Sequence, residues 1–273
     1  MTPEEASLRI HPTQRKLKFI GCEIIYREAC HLAATSPNRV DVQFLRKGLH
    51  DLETVTMQKY VQEAIDAVTP ADGYEAIILG YARCNDGLVG IKARHIPLII
   101  PRAHDCITFF FGSRGAYKEY FDAHPGTYYL TTGWCERNVE GDYSKPAYGQ
   151  QGVMDKLGLA KTRAEMIQQY GQDNADFIEV MMGNWLTNYT QMTFLEMGVG
   201  DERPLIELGK QEAARRGWSF EQRKGQWQLL RQLFEGPWDD NFVTIQPGQT
   251  LIACNDDRVL DASSSTETGS SGT

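Results

Sequence analysis

The sequence has no apolar run approaching the roughly 20 residues needed to cross a bilayer. Its longest candidate, IPLIIP at residues 96–101, is only strand-sized. The first residues (MTPEEASLRIHPTQRKLKFIG) lack a positive segment followed by an apolar stretch, which argues against a secretory leader. A cytoplasmic location and no membrane association are therefore expected. Basic charge is scarce, with 28 Lys and Arg against 36 Asp and Glu, a formal net charge of −8. Such a surface repels phosphate backbones, so no nucleic-acid partner is expected. The basic and aromatic run at residues 215–227 reads more simply as a helix end and the strand after it. There is no H-E-x-x-H, no G-x-S-x-G and no G-x-G-x-x-G following a strand. None of the six cysteines forms a C-x-x-C pair, which excludes a zinc knuckle or a thioredoxin-like motif. In a cytosolic chain of this length they do not form a disulfide framework either. Any site they share has to be assembled by the fold from distant segments.

What remains is ordinary globular composition. The 273 residues are 41% hydrophobic and 23% charged, enough for one large domain or two modest ones with a real core. Short β-rich apolar runs at 17–22, 40–45, 76–81 and 97–100 read as strands. Between them, 23–34 and 52–68 read as helices, the latter from the spacing of Leu52, Val55, Tyr60, Ala64, Ile65 and Val68. Pro70 stops it. Strands alternating with amphipathic helices imply βαβ units, and continuous apolar strands imply a parallel sheet. Further along, strands are expected at 127–130, 193–197, 218–221, 242–245 and 251–253. Helices are expected at 108–123, 162–182, 204–216 and 226–234. The predicted fold is therefore α/β: a mostly parallel sheet, or sheets, flanked by helices. Strand–helix–strand units at 17–45, 97–130 and 193–221 could pack as pseudo-repeats. Residues 1–16 read as an arm, 17–255 as a single domain with a soft internal boundary near 135–160, and 256–273 as a polar, disordered tail. The Gly/Pro- and Tyr-rich stretch at 136–151 reads as a long loop of the kind that carries function or moves.

Ligands in open parallel sheets bind outside the carboxyl ends of the strands. Cys22 ends the first strand, Cys84 follows the strand at 76–81, and Cys106 follows the strand at 97–100. All three belong on one rim. Their neighbours include Asn85, Asp86, Arg102, His104 and Asp105. Thiolates with imidazole bind zinc, and three cysteines can hold an iron–sulfur cluster with one position open to substrate. Against this, free cysteines are commonly buried as small hydrophobes. On the metal reading, Cys22, Cys84 and Cys106 are ligands. His104 is a fourth ligand or an acid/base with Asp105, and Arg102, Arg27, Asn85 and Asp86 position a small polar substrate. A thiol enzyme with Cys106 activated by His104 ranks behind it. Cys30 reads as core packing, Cys135 opens the long loop, and Cys254 lies near the tail. Trp185, Trp218, Trp227 and Trp238 read as packing anchors.

The runs IGCEIIYRE, ILGYARCNDGLVGI, PRAHDCITFFFGSR, PGTYYLTTGW and GPWDDNFVTIQPG resemble the bacterial and archaeal domain-of-unknown-function family 1638 over about residues 17–250. PRAHDC is the most specific of them. That family carries no established activity. Its members are often encoded beside corrinoid proteins and methyltransferases. The resemblance thus implies a one-carbon setting, with a corrinoid protein or methyltransferase as partner and a non-catalytic accessory role as the alternative. The chain lacks the D-x-H-x-x-G corrinoid motif. The three strand-end cysteines are also similar in plan to quinolinate synthase, where three α/β repeats each present one cysteine to a [4Fe–4S] cluster.

Overall fold

The computed structural model describes residues 14–47, 49, 54–84, 86–137, 167–168, 171–172 and 188–263. Asn85, all but the first two residues of the expected loop at 136–151, and most of the expected helix at 162–182 lie outside the described residues.

The strands are β1 (Lys16–Cys22), β2 (Arg39–Leu45), β3 (Ala76–Gly80), β4 (Leu98–Pro101), β5 (Thr127–Leu130), β6 (Gln191–Glu196), β7 (Ser219–Lys224), β8 (Phe242–Ile245), β9 (Leu251–Ala253) and β10 (Leu260–Ala262). The α-helices are α1 (Tyr26–Thr35), α2 (Thr54–Asp66), α3 (Ile107–Phe111), α4 (Arg114–Ala123), α5 (Thr132–Glu136), α6 (Arg203–Arg216) and α7 (Gln228–Glu235). The chain is α/β with parallel sheets flanked by helices. The main sheet has the order β2-β1-β3-β4-β8, with β1 to β4 parallel and β8 antiparallel to β4. A second sheet, β5-β6-β7, is wholly parallel.

The order of the main sheet reverses once. From β1 the chain crosses outward to β2, then returns past β1 to β3 and proceeds to β4. Right-handed crossovers in opposite directions put α1 and α2 on opposite faces. The carboxyl ends of β1 and β3 therefore flank a topological switch point, where the connecting segments part and leave a crevice. Residues are matched to this geometry. Gly21 and Gly80 sit opposite each other in register. A Cβ on either would lie within 2.4 Å of the Phe19 ring, so two glycines make room for one phenyl group. That ring stacks on Phe234 of α7, with centroids 5.0 Å apart. Helix α2 buries Met57, Val61, Ala64 and Ile65, a stripe at helical spacing that packs on the sheet.

Three expectations are corrected. The helix foreseen over 108–123 is two helices, because Gly112 takes a left-handed φ of 73° and Ser113 starts α4 by accepting a hydrogen bond from Ala116 N–H. Of the three suspected pseudo-repeats, the first and third are parallel β–α–β pairs, but the middle one joins different sheets, β4 in one and β5 in the other. The segment after 256 is not wholly a tail: β10 pairs antiparallel with β9 through Leu260↔Ala253 and Ala262↔Leu251, since Leu260 is an apolar residue that the fold buries completely.

Candidate functional site

The rim of the main sheet is built by short backbone devices. Past β1, Cys22 leads into a 3₁₀ turn, Glu23–Ile25, and the Cys22 sulfur accepts a hydrogen bond from the Ile24 N–H. Past β3, Cys84 and Asp86 both take positive φ, 39° and 60°, which turns the chain sharply. Past β4, the Asp105 carboxylate accepts from the N–H of Ile107 at 3.0 Å and of Thr108 at 3.4 Å, capping α3 just after Cys106. The last two loops are laced together, Arg83 N–H to Ala103 O at 2.9 Å and Cys84 N–H to His104 O at 3.1 Å. Parallel strands and these links bring Cys22, Cys84 and Cys106 around one cavity of about 390 Å³. The Cys106 and Cys84 thiols are hydrogen-bonded to each other, and Cys22 is close enough to both to raise the cost of ionising them together.

The far wall comes from the second sheet and its helices. Gly133 at the start of α5 packs so closely on the 3₁₀ turn that a Cβ there would lie 2.1 Å from the Ile24 carbonyl oxygen. This contact sets Trp134 against the cavity, with Thr131 capping α5 by accepting from the Trp134 N–H at 3.1 Å. Tyr129 of β5 and Tyr117 of α4 complete that side, and the Tyr117 hydroxyl donates to Asp105 at 2.9 Å. From the end of β2, Arg46 and Lys47 join the lining. Lys47 is only 5% exposed. It donates to the Trp134 carbonyl at 2.7 Å and lies over the Trp134 ring at 5.0 Å.

Burial sets the electrostatics. It pushes the Cys22 thiol up to about 12, against the opposing hydrogen bond from Ile24 and the nearby Lys47 charge. Cys106 is raised by its hydrogen bond with Cys84 and then by burial. Asp105 is raised by burial, opposed by Tyr117 and the two capping N–H groups. Two phenols stand out: the Tyr81 and Tyr129 hydroxyls are buried in the lining of the cavity with no hydrogen-bond partner among the described residues.

Cys22, Cys84, Cys106, His104 and Asp105 all line the cavity, with His104 exposed at its rim. Of the other residues singled out from the sequence, those the structure describes do not. Arg102 donates to the carbonyls of Phe242, Arg258 and Leu260 and pairs with Asp261 at 3.6 Å, clasping the C-terminal hairpin. Asp86 pairs with Arg83 at 2.5 Å. Arg27 makes a two-pronged pair with Glu136 at 2.7 and 2.5 Å. Cys135 is buried in a core cluster under the second sheet, not beside the other thiols. The strand-end rule would have pointed to Arg46, Lys47 and Tyr81, which follow β2 and β3, had it been applied beyond cysteine. Tyr117, Tyr129 and Trp134 carry no such signal, because they arrive from another sheet. Among the described residues, no group of three or more His, Cys, Asp or Glu could hold a metal ion. Nor is any helix among them long and apolar enough to cross a membrane.

A family match spans residues 44–234, more than half of the chain, under the description "Protein of unknown function (DUF1638)". The chain belongs to this family. Cys84 and Cys106 lie within the matched span of the DUF1638 family and Cys22 before it. No curated protein matches the chain, and no solved structure does.

Proposed function

We propose that this chain is an iron–sulfur- or metal-dependent enzyme acting on a small metabolite in the cavity at the switch point. The observation that carries the reading is the convergence of Cys22, Cys84 and Cys106, from three separate strand ends, on one cavity of about 390 Å³. That volume is in the range of small-molecule sites. The donor set fits soft, thiophilic metals. A cluster is favoured over a single zinc ion. Each cysteine of a cluster would hold a different iron, so three thiols arriving from three strand ends would suit a cluster. Held by Cys22, Cys84 and Cys106, such a group would supply Lewis-acid activation of a substrate oxygen.

The protein's own contribution is separable from that chemistry. Burial raises the Cys22 and Cys106 thiols, so loading would require release of their protons, and Lys47 beside Cys22 favours the thiolate. Arg83, Cys84, Ala103 and His104 backbone links keep two of the thiols in register. Trp134, Tyr117 and Tyr129 exclude water from the far side. His104, at the rim, is the group placed to exchange a proton with substrate and solvent.

The test is iron, zinc and acid-labile sulfide analysis with a visible spectrum, on protein purified without oxygen. Near-stoichiometric iron and sulfide, lost in Cys22→Ala, Cys84→Ala and Cys106→Ala but kept in Cys135→Ala, is the expected result. Zinc without sulfide would replace the cluster by a single ion. Absence of every metal would overturn the reading.

A further inference from the structure

The cavity carries information about its occupant that the thiols do not. Its walls are mainly apolar, with Ile24, Leu49, Met57, Ile107, Phe121 and Trp134 among them. Phe121, 52% exposed, sits at the mouth. Into this apolar lining are set two buried phenol hydroxyls without partners among the described residues, those of Tyr81 and Tyr129. Tyr81 is itself only 2% exposed, so its hydroxyl cannot be satisfied by bulk solvent. A buried O–H left alone carries a desolvation penalty that a polar ligand atom removes. Among the described residues, the lining carries Arg46 and Lys47, with His104 at the rim, and one carboxylate, Asp105, in a protein of net charge −8. Asp105 is already engaged by the Tyr117 hydroxyl and two backbone N–H groups. Arg46 is exposed, while Lys47 is buried against Trp134.

We propose that the cavity binds a small organic carboxylate with an apolar or aromatic body. Its carboxylate lies toward Arg46 at the mouth, its body lies among the aromatic walls, and a second oxygen lies toward the Tyr81 hydroxyl beside the thiols. This assignment rests on reading the cavity as the reaction site and names the substrate class of that site. Guanidinium groups match carboxylates in shape and donor placement, and phenols donate readily to a hydroxyl or carbonyl oxygen. An ammonium compound would meet Arg46 and Lys47 as like charges. An inorganic anion would leave the apolar walls uncovered.

The experiment is isothermal titration of the full chain with four probes: benzoate, its neutral isostere benzamide, the cation benzylammonium, and inorganic phosphate. Iron and sulfide are measured on the same samples. Benzoate is expected to bind about 10-fold or more tighter than the other three, as one charge-assisted hydrogen bond is worth about that factor. Arg46→Gln should remove that advantage and leave benzamide binding unchanged, with the urea midpoint of the same variant measured to show that its fold is kept. Tyr81→Phe, which deletes only the hydroxyl, should weaken a ring-hydroxylated benzoate relative to benzoate itself. Equal affinity for benzamide, preference for benzylammonium or phosphate, or indifference to Arg46→Gln would overturn the proposal. Iron and sulfide without benzoate binding would end this assignment and leave the cluster standing. Benzoate binding without metal would do the reverse.

Discussion

The two parallel sheets obey the same topological rule and treat their carboxyl edges differently. At the edge of β5-β6-β7 there is also a cleft, of about 840 Å³, lined by the loop after β6 and the start of α6. Its polar groups satisfy one another. Glu202 accepts from the Thr132 hydroxyl at 3.0 Å and from the N–H of Met197 at 3.0 Å and Gly198 at 2.8 Å. Asp201 pairs with Arg203, and Gln222 with Glu196. At the edge of the main sheet, thiols are crowded together and two phenol hydroxyls lack partners among the described residues. The difference teaches that position at a strand end is not enough to make a site. What distinguishes a site is polar capacity that the protein itself does not use.

One group between the two edges violates that division and offers the sharpest way to break it. Glu28 on α1 is 0% exposed, neither of its oxygens has a hydrogen-bond partner in another described residue, and it lies near Glu202 and Glu136, with Arg27 as the opposing charge. Burial pushes its carboxyl from 4.5 up to about 8. Between about pH 4.5 and 8 the folded chain therefore keeps a proton that the unfolded chain has released. The contribution of Glu28 to stability falls as pH rises through that window, at about 1.4 kcal/mol per pH unit. Glu28→Gln should abolish that slope, a difference of about 3–4 kcal/mol between pH 5 and 8 in urea titrations. An unchanged slope would mean that Glu28 is ionised and paired.

Glu202→Ala attacks the edge where everything is satisfied. Removing its carboxylate strands the Thr132 hydroxyl and two backbone N–H groups, and should cost about 2–3 kcal/mol of unfolding free energy. Metal content should be unaffected. Loss of metal would join the two edges into one site.

The smallest effect is expected at Arg102. With its guanidinium committed to the carbonyls of Phe242, Arg258 and Leu260, Arg102→Ala should cost about 1–2 kcal/mol and speed proteolysis around residues 256–263. Benzoate affinity should not change. A loss of affinity without a loss of stability would restore Arg102 to substrate binding.

Much of the main sheet was legible because its strands are short apolar runs separated by amphipathic helices, and buried parallel strands leave no other reading. The placement of Cys22, Cys84 and Cys106 on one rim followed from the same fact, since parallel strands end on one side. Residues such as Arg102 and Asp86 were misplaced for a physical reason. A strand-end loop offers its side chains several directions, and hydrogen bonds to distant backbone decide among them. Arg102 turned to carbonyls some 140 to 158 residues away in sequence.

The α/β alternation and the shared rim of the three thiols are, then, properties of the sequence alone. Those are local and periodic properties, fixed by side-chain volume and the two-residue repeat of a strand. The reversal of strand order at β1 and β3 was settled only in the tertiary structure. So were the arrival of Tyr129 and Trp134 from the second sheet, and which polar groups were left without partners. Those depend on contacts between segments far apart in the chain, for which no single stretch of sequence carries the pattern.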